Sequence, residues 1–253
     1  MSAASSHPFA RASEPGPRLH ALVPCAGSGS RAGTASPKQY QPLAGRPLVH
    51  HTLQALAGVT RLATVLVAVV PGDRTLEAHP GIVRAECGGA TRAATVRGGL
   101  EALRQRGARD DDWVLVHDAA RCLVTPALID RLIDACLDDP VGGLLAQPLA
   151  DTLKFGPQAR VAATVPRDGH WLAQTPQMFR LGPLRQHLAA AGDAVTDEAS
   201  AFEAAGLSPR LVPGSPHNLK VTWPEDFILA EALLQSRTAS PGAFHSPSPE
   251  AAR

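Results

Sequence analysis

Short apolar runs and helically spaced segments take turns along most of this chain, and that alternation restricts its fold more than any other feature. Residues 19–26 and 64–70 are apolar or β-branched runs of the kind that strands covered on both faces show. Between them Leu48, Thr52, Leu53 and Leu56 fall at helical spacing within residues 47–56, which completes a βαβ unit. The pattern goes on through a strand over 82–85, a helix over about 91–106, a strand over 113–117, a helix over about 126–137 and a strand over 143–147. The expected class is α/β: a Rossmann-like, open, mainly parallel sheet with helices on both faces. In such sheets ligands bind beyond the carboxyl ends of the strands. No internal repeat is found.

One segment interrupts the alternation where the next helix should start. Residues 151–155 and 160–165 read as two short strands joined at Gly156-Pro157, a projecting β-hairpin arm within about 149–170. Half-apolar strands that project need a surface to cover them, and a second copy of the chain is the simplest one, giving a homodimer. A surface flap is the other reading.

With 253 residues the chain is long enough for one large α/β domain, expected over 19–235. The Ser-, Ala- and Pro-rich ends, 1–18 and 236–253, are expected to be disordered. No apolar core of signal-peptide length stands at the start, so a cytoplasmic protein is expected. A transit peptide is the rival reading, opposed by Glu14, Pro15, Gly16 and Pro17, which would break an amphipathic helix. A formal net charge of +1 supplies no polybasic field for nucleic acid. No apolar run approaches the ~20 residues that span a bilayer. Cys25, Cys87, Cys122 and Cys136 are too scattered for a zinc site or a redox dithiol and read as packed thiols.

Of 24 basic residues only three are lysines, Lys38, Lys154 and Lys220, and all three fall in polar motifs. A compact ammonium is not interchangeable with a planar guanidinium. The first strand runs into Cys25-Ala26-Gly27-Ser28-Gly29-Ser30-Arg31, a Gly-rich loop whose N–H groups can turn toward phosphate oxygens. It matches neither the dinucleotide fingerprint nor a Walker loop, for no acidic residue lies between Glu14 and Asp73 and no Gly-Lys-Ser/Thr closes it. Arg18, Arg31, Lys38, Arg46 and Arg61 stand in that carboxylate-free stretch, a balance suited to a polyanion such as a nucleoside triphosphate. Solvated surface charge is the plainer reading for Arg18 and Arg61. Further on, Gly88 and Gly89 let a flat base approach the main chain. Asp118 and Arg121, three apart at the end of the 113–117 strand, suit a metal–phosphate complex or sugar hydroxyl and an anion respectively, or else a helix cap and its partner.

Taken in order, Ala26-Gly27-Ser28-Gly29-Ser30-Arg31, Pro37-Lys38-Gln39-Tyr40, Gly88-Gly89-Ala90-Thr91-Arg92, His117-Asp118-Ala119-Ala120-Arg121, Asp151-Thr152-Leu153-Lys154, Ala173-Gln174-Thr175-Pro176-Gln177, Thr196-Asp197-Glu198-Ala199-Ser200 and the run from Asn218 to Asp226 resemble the motifs of 2-C-methyl-D-erythritol 4-phosphate cytidylyltransferases. The resemblance covers about residues 19–234. It implies a cytoplasmic homodimer that joins CTP to methylerythritol phosphate with Mg²⁺ and releases pyrophosphate. It implies that Arg31, Lys38, Arg167 and Lys220 are catalytic, with Arg167 reaching the other subunit's substrate from the arm. By the same resemblance Ala26, Gly27, Ser28, Gly29, Gly88, Gly89, Arg92, Thr95 and Ala119 bind CTP. Asp118, Arg121, Thr152, Thr175 and Thr196 surround methylerythritol phosphate, and Asp118 is the candidate for a metal. Cys25, Cys122 and Ala94-Thr95 depart from the commonest pattern.

The chemistry agrees with that resemblance. A phosphate monoester is already a nucleophile at neutral pH, so a nucleophilic triad is not required, and none is found. The obstacle is repulsion between two anions, which fixed cations, a metal and main-chain amides reduce. A pentitol-phosphate cytidylyltransferase, a non-catalytic nucleotide-binding subunit and a nicotinamide dehydrogenase are the other readings, the last weakened by the absent ribose carboxylate.

Overall fold

The computed structural model describes residues 16–27, 37–77, 79–192 and 195–239. Within them the chain forms β1 (Leu19–Pro24), the two-residue strands β2 (Pro42–Leu43) and β3 (Arg46–Pro47), α1 (Leu48–Ala57), β4 (Leu62–Ala68) and β5 (Ile82–Ala85). It continues with α2 (Arg92–Gln105), β6 (Trp113–Val116), α3 (Pro126–Cys136), β7 (Gly143–Pro148), β8 (Leu153–Phe155) and β9 (Ala163–Val165). Last come β10 (Trp171–Arg180), α4 (Leu181–Ala191), α5 (Glu198–Ala204), β11 (Arg210–Pro213) and α6 (Pro224–Ala239).

Seven strands make one sheet in the order β11, β7, β10, β6, β1, β4, β5. β10 runs antiparallel to β6 and β7, while the other pairings are parallel. Successive side chains of a strand face opposite ways, and both faces here are apolar. Ala21 and Val23 of β1, Val65 and Val67 of β4, and Trp113 and Leu115 of β6 join α1 and α3 in one core. Leu22, Leu66, Val114 and Val116 join α2, α4 and α5 in the other. That two-sided burial is why β6 reads as an unbroken Trp-Val-Leu-Val run. The helices start where the sequence provides caps: the Thr91 hydroxyl accepts from the Ala94 amide, and Thr125 caps α3 ahead of Pro126.

The open, mainly parallel sheet agrees with the expectation from alternation, and so do the strand over 82–85 and the helices α1, α2 and α3 within a residue or so at each end. Several details differ. The first strand stops at Pro24 rather than 26, and β4 begins two residues early. The arm pairs only Leu153–Phe155 with Ala163–Val165, because Gln158 and Ala159 adopt positive φ in a wider turn that takes up residues 160–162. After the arm the chain forms the strand β10 and not a helix. The polar centre of β10, Gln174-Thr175-Pro176-Gln177, has no strand-like apolar run and interrupts the ladder with β7. The fold also reaches past both expected edges of the domain: the Arg18 amide donates to Asp112 at 2.8 Å, and α6 runs to Ala239. The outer parts of the two tails lie outside the described residues.

Two glycines in the middle of α2 are explained by contact. A Cβ on Gly98 would lie 2.2 Å from the Cys87 carbonyl oxygen, and one on Gly99 2.4 Å from Leu22 Cδ1. α2 thus rests directly on the backbone that leads to Gly88 and Gly89. Alanine at Gly98 would gain about 1 kcal/mol of helix propensity. Overpacking against fixed backbone costs about 1–3 kcal/mol and should win. Gly98→Ala is therefore expected to lower the thermal midpoint by several degrees in calorimetry; a midpoint at or above the parent's would show that α2 can retreat from the sheet.

Candidate active site

Beyond the carboxyl ends of β1 and β6 lies a hollow of about 330 Å³, lined by residues 24–27, Lys38, Gln39, residues 89–92, Thr95, residues 118–120 and Lys220. One wall is glycine against backbone. The Gly88 amide donates to the Val69 carbonyl at 2.8 Å, and a Cβ on Gly88 would stand 2.4 Å from that of Ala26. The Gly89 amide donates to Thr95 Oγ1 at 3.1 Å, and that hydroxyl donates to the Thr91 carbonyl at 2.9 Å, which ties the turn to the first coil of α2. Opposite, Gln39 Nε2 donates to the Gly27 carbonyl at 2.8 Å and fastens the start of the Gly-rich loop.

An alternating row of charges runs from beneath the hollow into its lining. Glu198, with 1% of its surface exposed, takes Arg92 Nη1 and Nη2 at 2.7 and 3.0 Å. Arg92 Nε donates to Asp118 Oδ1 at 2.8 Å, and Lys220 Nζ meets Asp118 Oδ2 at 2.7 Å. Burial would raise the Asp118 pKa, but the charges of Arg92 and Lys220 and their hydrogen bonds outweigh it and hold this carboxyl far below the ordinary range. Burial would likewise favour neutral Arg92, and Glu198 and Asp118 reverse that and raise its pKa. Lys38 Nζ donates to the Val221 carbonyl at 2.7 Å, one residue from Lys220.

A single chain thus brings Ala26, Gly27, Lys38, Gly89, Arg92, Thr95, Asp118, Ala119 and Lys220 to one hollow, with Gly88 directly behind it. Ser28, Gly29 and Arg31 lie outside the described residues. Arg121 is not part of the lining: it donates to the carbonyls of Asn218 at 2.7 Å and Ala173 at 3.1 Å, and burial lowers its pKa. The Thr175 hydroxyl is buried against His117 and the Asp118 amide. Thr152 and Thr196 stand away from the lining, as does Arg167, which donates to the Ala150 carbonyl at the root of the arm.

Glu198, Gln39 and His117 have no role that residue type or spacing assigns, although each stands inside one of the motifs above. Glu198 finds Arg92 across 106 residues and His117 finds Thr175 across 58, so spacing carries no signal of those contacts; Gln39 reaches back 12 residues to a main-chain carbonyl, which any residue type supplies. Burial pushes the Cys25 thiol up to about 12, which supports a packed thiol.

A resident divalent metal does not fit these residues. Asp118 is the single carboxylate in the described lining, and both its oxygens are engaged by cations. Among the described residues no group of three His, Cys, Asp or Glu side chains converges.

The family model for 2-C-methyl-D-erythritol 4-phosphate cytidylyltransferase matches residues 19–236. The chain belongs to that family. A curated cytidylyltransferase of this name from Bordetella pertussis is 57% identical over 227 residues, covering 85% of this chain and 98% of that one. The bifunctional enzyme IspD/IspF of Albidiferax ferrireducens is 60% identical over 232 residues, 90% of this chain but 55% of that longer protein. A solved 4-diphosphocytidyl-2C-methyl-D-erythritol synthase superposes with a TM-score of 0.77 at 38% identity, covering 86% of this chain and 98% of its own. The Thermus thermophilus family member gives 0.73 at 35% identity over 86% and 99%.

Behind this cytidylyltransferase hollow His117 is fully buried, and burial brings its pKa down to about 4. An unfolded chain takes up that proton below about pH 6.5 while the folded chain refuses it. This stabilisation is therefore complete above pH 6.5 and lost as the pH falls toward 4, by about 3 kcal/mol over the window. Denaturant titrations of the parent and His117→Asn from pH 7 to 4 should show the parent losing stability more steeply; parallel curves would refute the assignment.

Proposed function

We propose that this hollow is where a cytidylyl group passes from CTP to 2-C-methyl-D-erythritol 4-phosphate, forming 4-diphosphocytidyl-2-C-methyl-D-erythritol and pyrophosphate in the non-mevalonate isoprenoid pathway. The observation that carries the reading is the convergence of Lys38, Lys220, Arg92 and Asp118 on one hollow with glycine walls. A monoester phosphate oxygen attacks the α-phosphorus of CTP, one P–O bond forms, the α–β bridge breaks, and the electron pair leaves on pyrophosphate. Lys38 and Lys220, joined by Arg31 of the Gly-rich loop, offset charge on the triphosphate as it builds on the leaving group. The turn at Gly88 and Gly89 receives the base. Asp118 keeps further lone pairs beside those that Arg92 and Lys220 occupy and accepts from hydroxyls of the polyol.

Mg²⁺ enters this reading on the nucleotide, coordinated by triphosphate oxygens and water, in keeping with its reluctance to dehydrate. Arg121, Thr152, Thr175 and Thr196 act around the polyol phosphate, Arg121 and Thr175 through the backbone they hold. The arm supports a homodimer: Phe155 and Val161 are 60% and 70% exposed on it, and Leu172 at its root is 52% exposed. In that dimer Arg167 serves the partner's hollow. Four free cysteines, three of them buried, suit a reducing cytoplasm. Among the described residues no helix is long and apolar enough to cross a membrane.

Pyrophosphate release should be fastest with CTP and methylerythritol phosphate among CTP, ATP, GTP and UTP paired with methylerythritol phosphate or ribitol 5-phosphate. Equal rates with ribitol 5-phosphate would reassign the substrate, and CTP binding without release would leave a binding protein. Lys38→Ala or Arg31→Ala should cost about 3 kcal/mol of transition-state stabilisation, a hundredfold or more in kcat, with an unchanged circular dichroism spectrum. Phe155→Asp combined with Val161→Asp should shift the light-scattering mass from dimer to monomer; a monomeric parent would remove the arm's role.

A further inference from the structure

We propose that His117 is a positioning residue for this reaction: a neutral imidazole, carrying its proton on Nε2, that fixes the main chain of Asp118 and of the turn ending at Arg121. The proposal rests on the cytidylyltransferase reading for its kinetic consequence alone.

The hydrogen positions follow from what each partner is able to do. Nε2 lies 3.2 Å from the Arg121 carbonyl oxygen, which only accepts, so Nε2 carries a hydrogen. Nδ1 lies 3.0 Å from Thr175 Oγ1, and that oxygen accepts from the Asp118 amide at 3.0 Å. The hydroxyl still has its one hydrogen to give, and unprotonated Nδ1 receives it. The row therefore has a single order: the Asp118 amide donates to Thr175, Thr175 to His117, and His117 to the Arg121 carbonyl. Reversing any member leaves a buried polar group without a partner.

This row is part of a closed ring. Asn218 Nδ2 donates to the Thr175 carbonyl at 2.9 Å, and Arg121 Nη1 donates to the Asn218 carbonyl at 2.7 Å, two residues from Lys220. The end of β6, the centre of β10 and the segment carrying Lys220 are tied together, and the Asp118 carboxylate projects from the tied backbone. His117 has no exposed surface and touches no reactant, so its effect passes through Asp118 and Arg121. Those two are also the charged groups that act on it.

Two substitutions separate its two contacts. His117→Asn leaves an acceptor near the Nδ1 position and removes the donor to Arg121; His117→Gln leaves a donor near Nε2 and removes the acceptor for Thr175. His117→Gln and Thr175→Val should each raise KM for methylerythritol phosphate tenfold or more while KM for CTP stays within threefold. Thr175→Ser, which keeps the hydroxyl, should raise the polyol KM at least threefold less than Thr175→Val does, and His117→Asn should change it less than His117→Gln. Nitrogen-15 NMR of the parent ring at pH 8 should show the Nε2–H tautomer, and the Asp118 amide should exchange at least tenfold faster in Thr175→Val than in Thr175→Ser. An Nδ1–H ring, unaltered exchange, parental kinetics in both His117→Gln and Thr175→Val, or equal damage to both KM values would overturn the proposal. The NMR and exchange measurements need no turnover, so a parent inactive toward CTP and methylerythritol phosphate would defeat the functional reading while leaving the positioning claim to be decided by them.

Discussion

An aspartate buried at the end of a central strand is costly unless something answers its charge, and in this molecule the answer organises the site. Asp118 is met by Arg92 and Lys220, and Arg92 in turn by Glu198. The four side chains come from the turn after β6, the start of α2, the start of α5 and the segment before α6. Removing Arg92 leaves Glu198 buried and uncompensated, at about 3–5 kcal/mol, whereas a well-packed apolar substitute for the whole row would cost little stability. Stability alone therefore does not account for the row. It does set one carboxylate and one ammonium 2.7 Å apart at the hollow.

How much of this was legible in the sequence depends on whether a feature is local. β6 and its neighbours were visible because strands covered on both faces must be apolar throughout, and α3 because its buried residues Leu128, Ile129, Leu132, Ile133 and Cys136 follow helical spacing. β10 was not, since Gln174, Thr175 and Gln177 are buried polar residues whose partners lie in other segments: Gln174 Nε2 on the Ser215 carbonyl and Gln177 Nε2 on Asp197. Buried polar groups of this kind imitate a loop in one dimension. Lys38, Asp118 and Lys220 stood out by residue type and motif, but that they share one hollow is a fact of three dimensions. Glu198 and His117 stayed hidden because their work is done on other side chains and on backbone.

The two lysines at the hollow are held differently, and the difference bears on what each does when a triphosphate arrives. Among its contacts Lys38 donates to the Val221 carbonyl, while Lys220 is bound to the Asp118 carboxylate. A phosphate oxygen carries charge where the Val221 carbonyl carries only a dipole, so an ammonium is drawn more strongly to the phosphate. Lys220 gains far less by leaving Asp118, which would then keep Arg92 alone as its counter-charge. In the proposed reaction Lys38 turns onto the nucleotide, and Lys220 remains on Asp118 while its other N–H groups face the ligand. Arginine would serve neither post as well: its broad, planar fork is matched to a bidentate partner, as Arg92 is on Glu198, whereas these two posts call for a compact charge with donors in several directions. That requirement gives a physical reason for lysine at both places in a chain that otherwise uses arginine almost throughout.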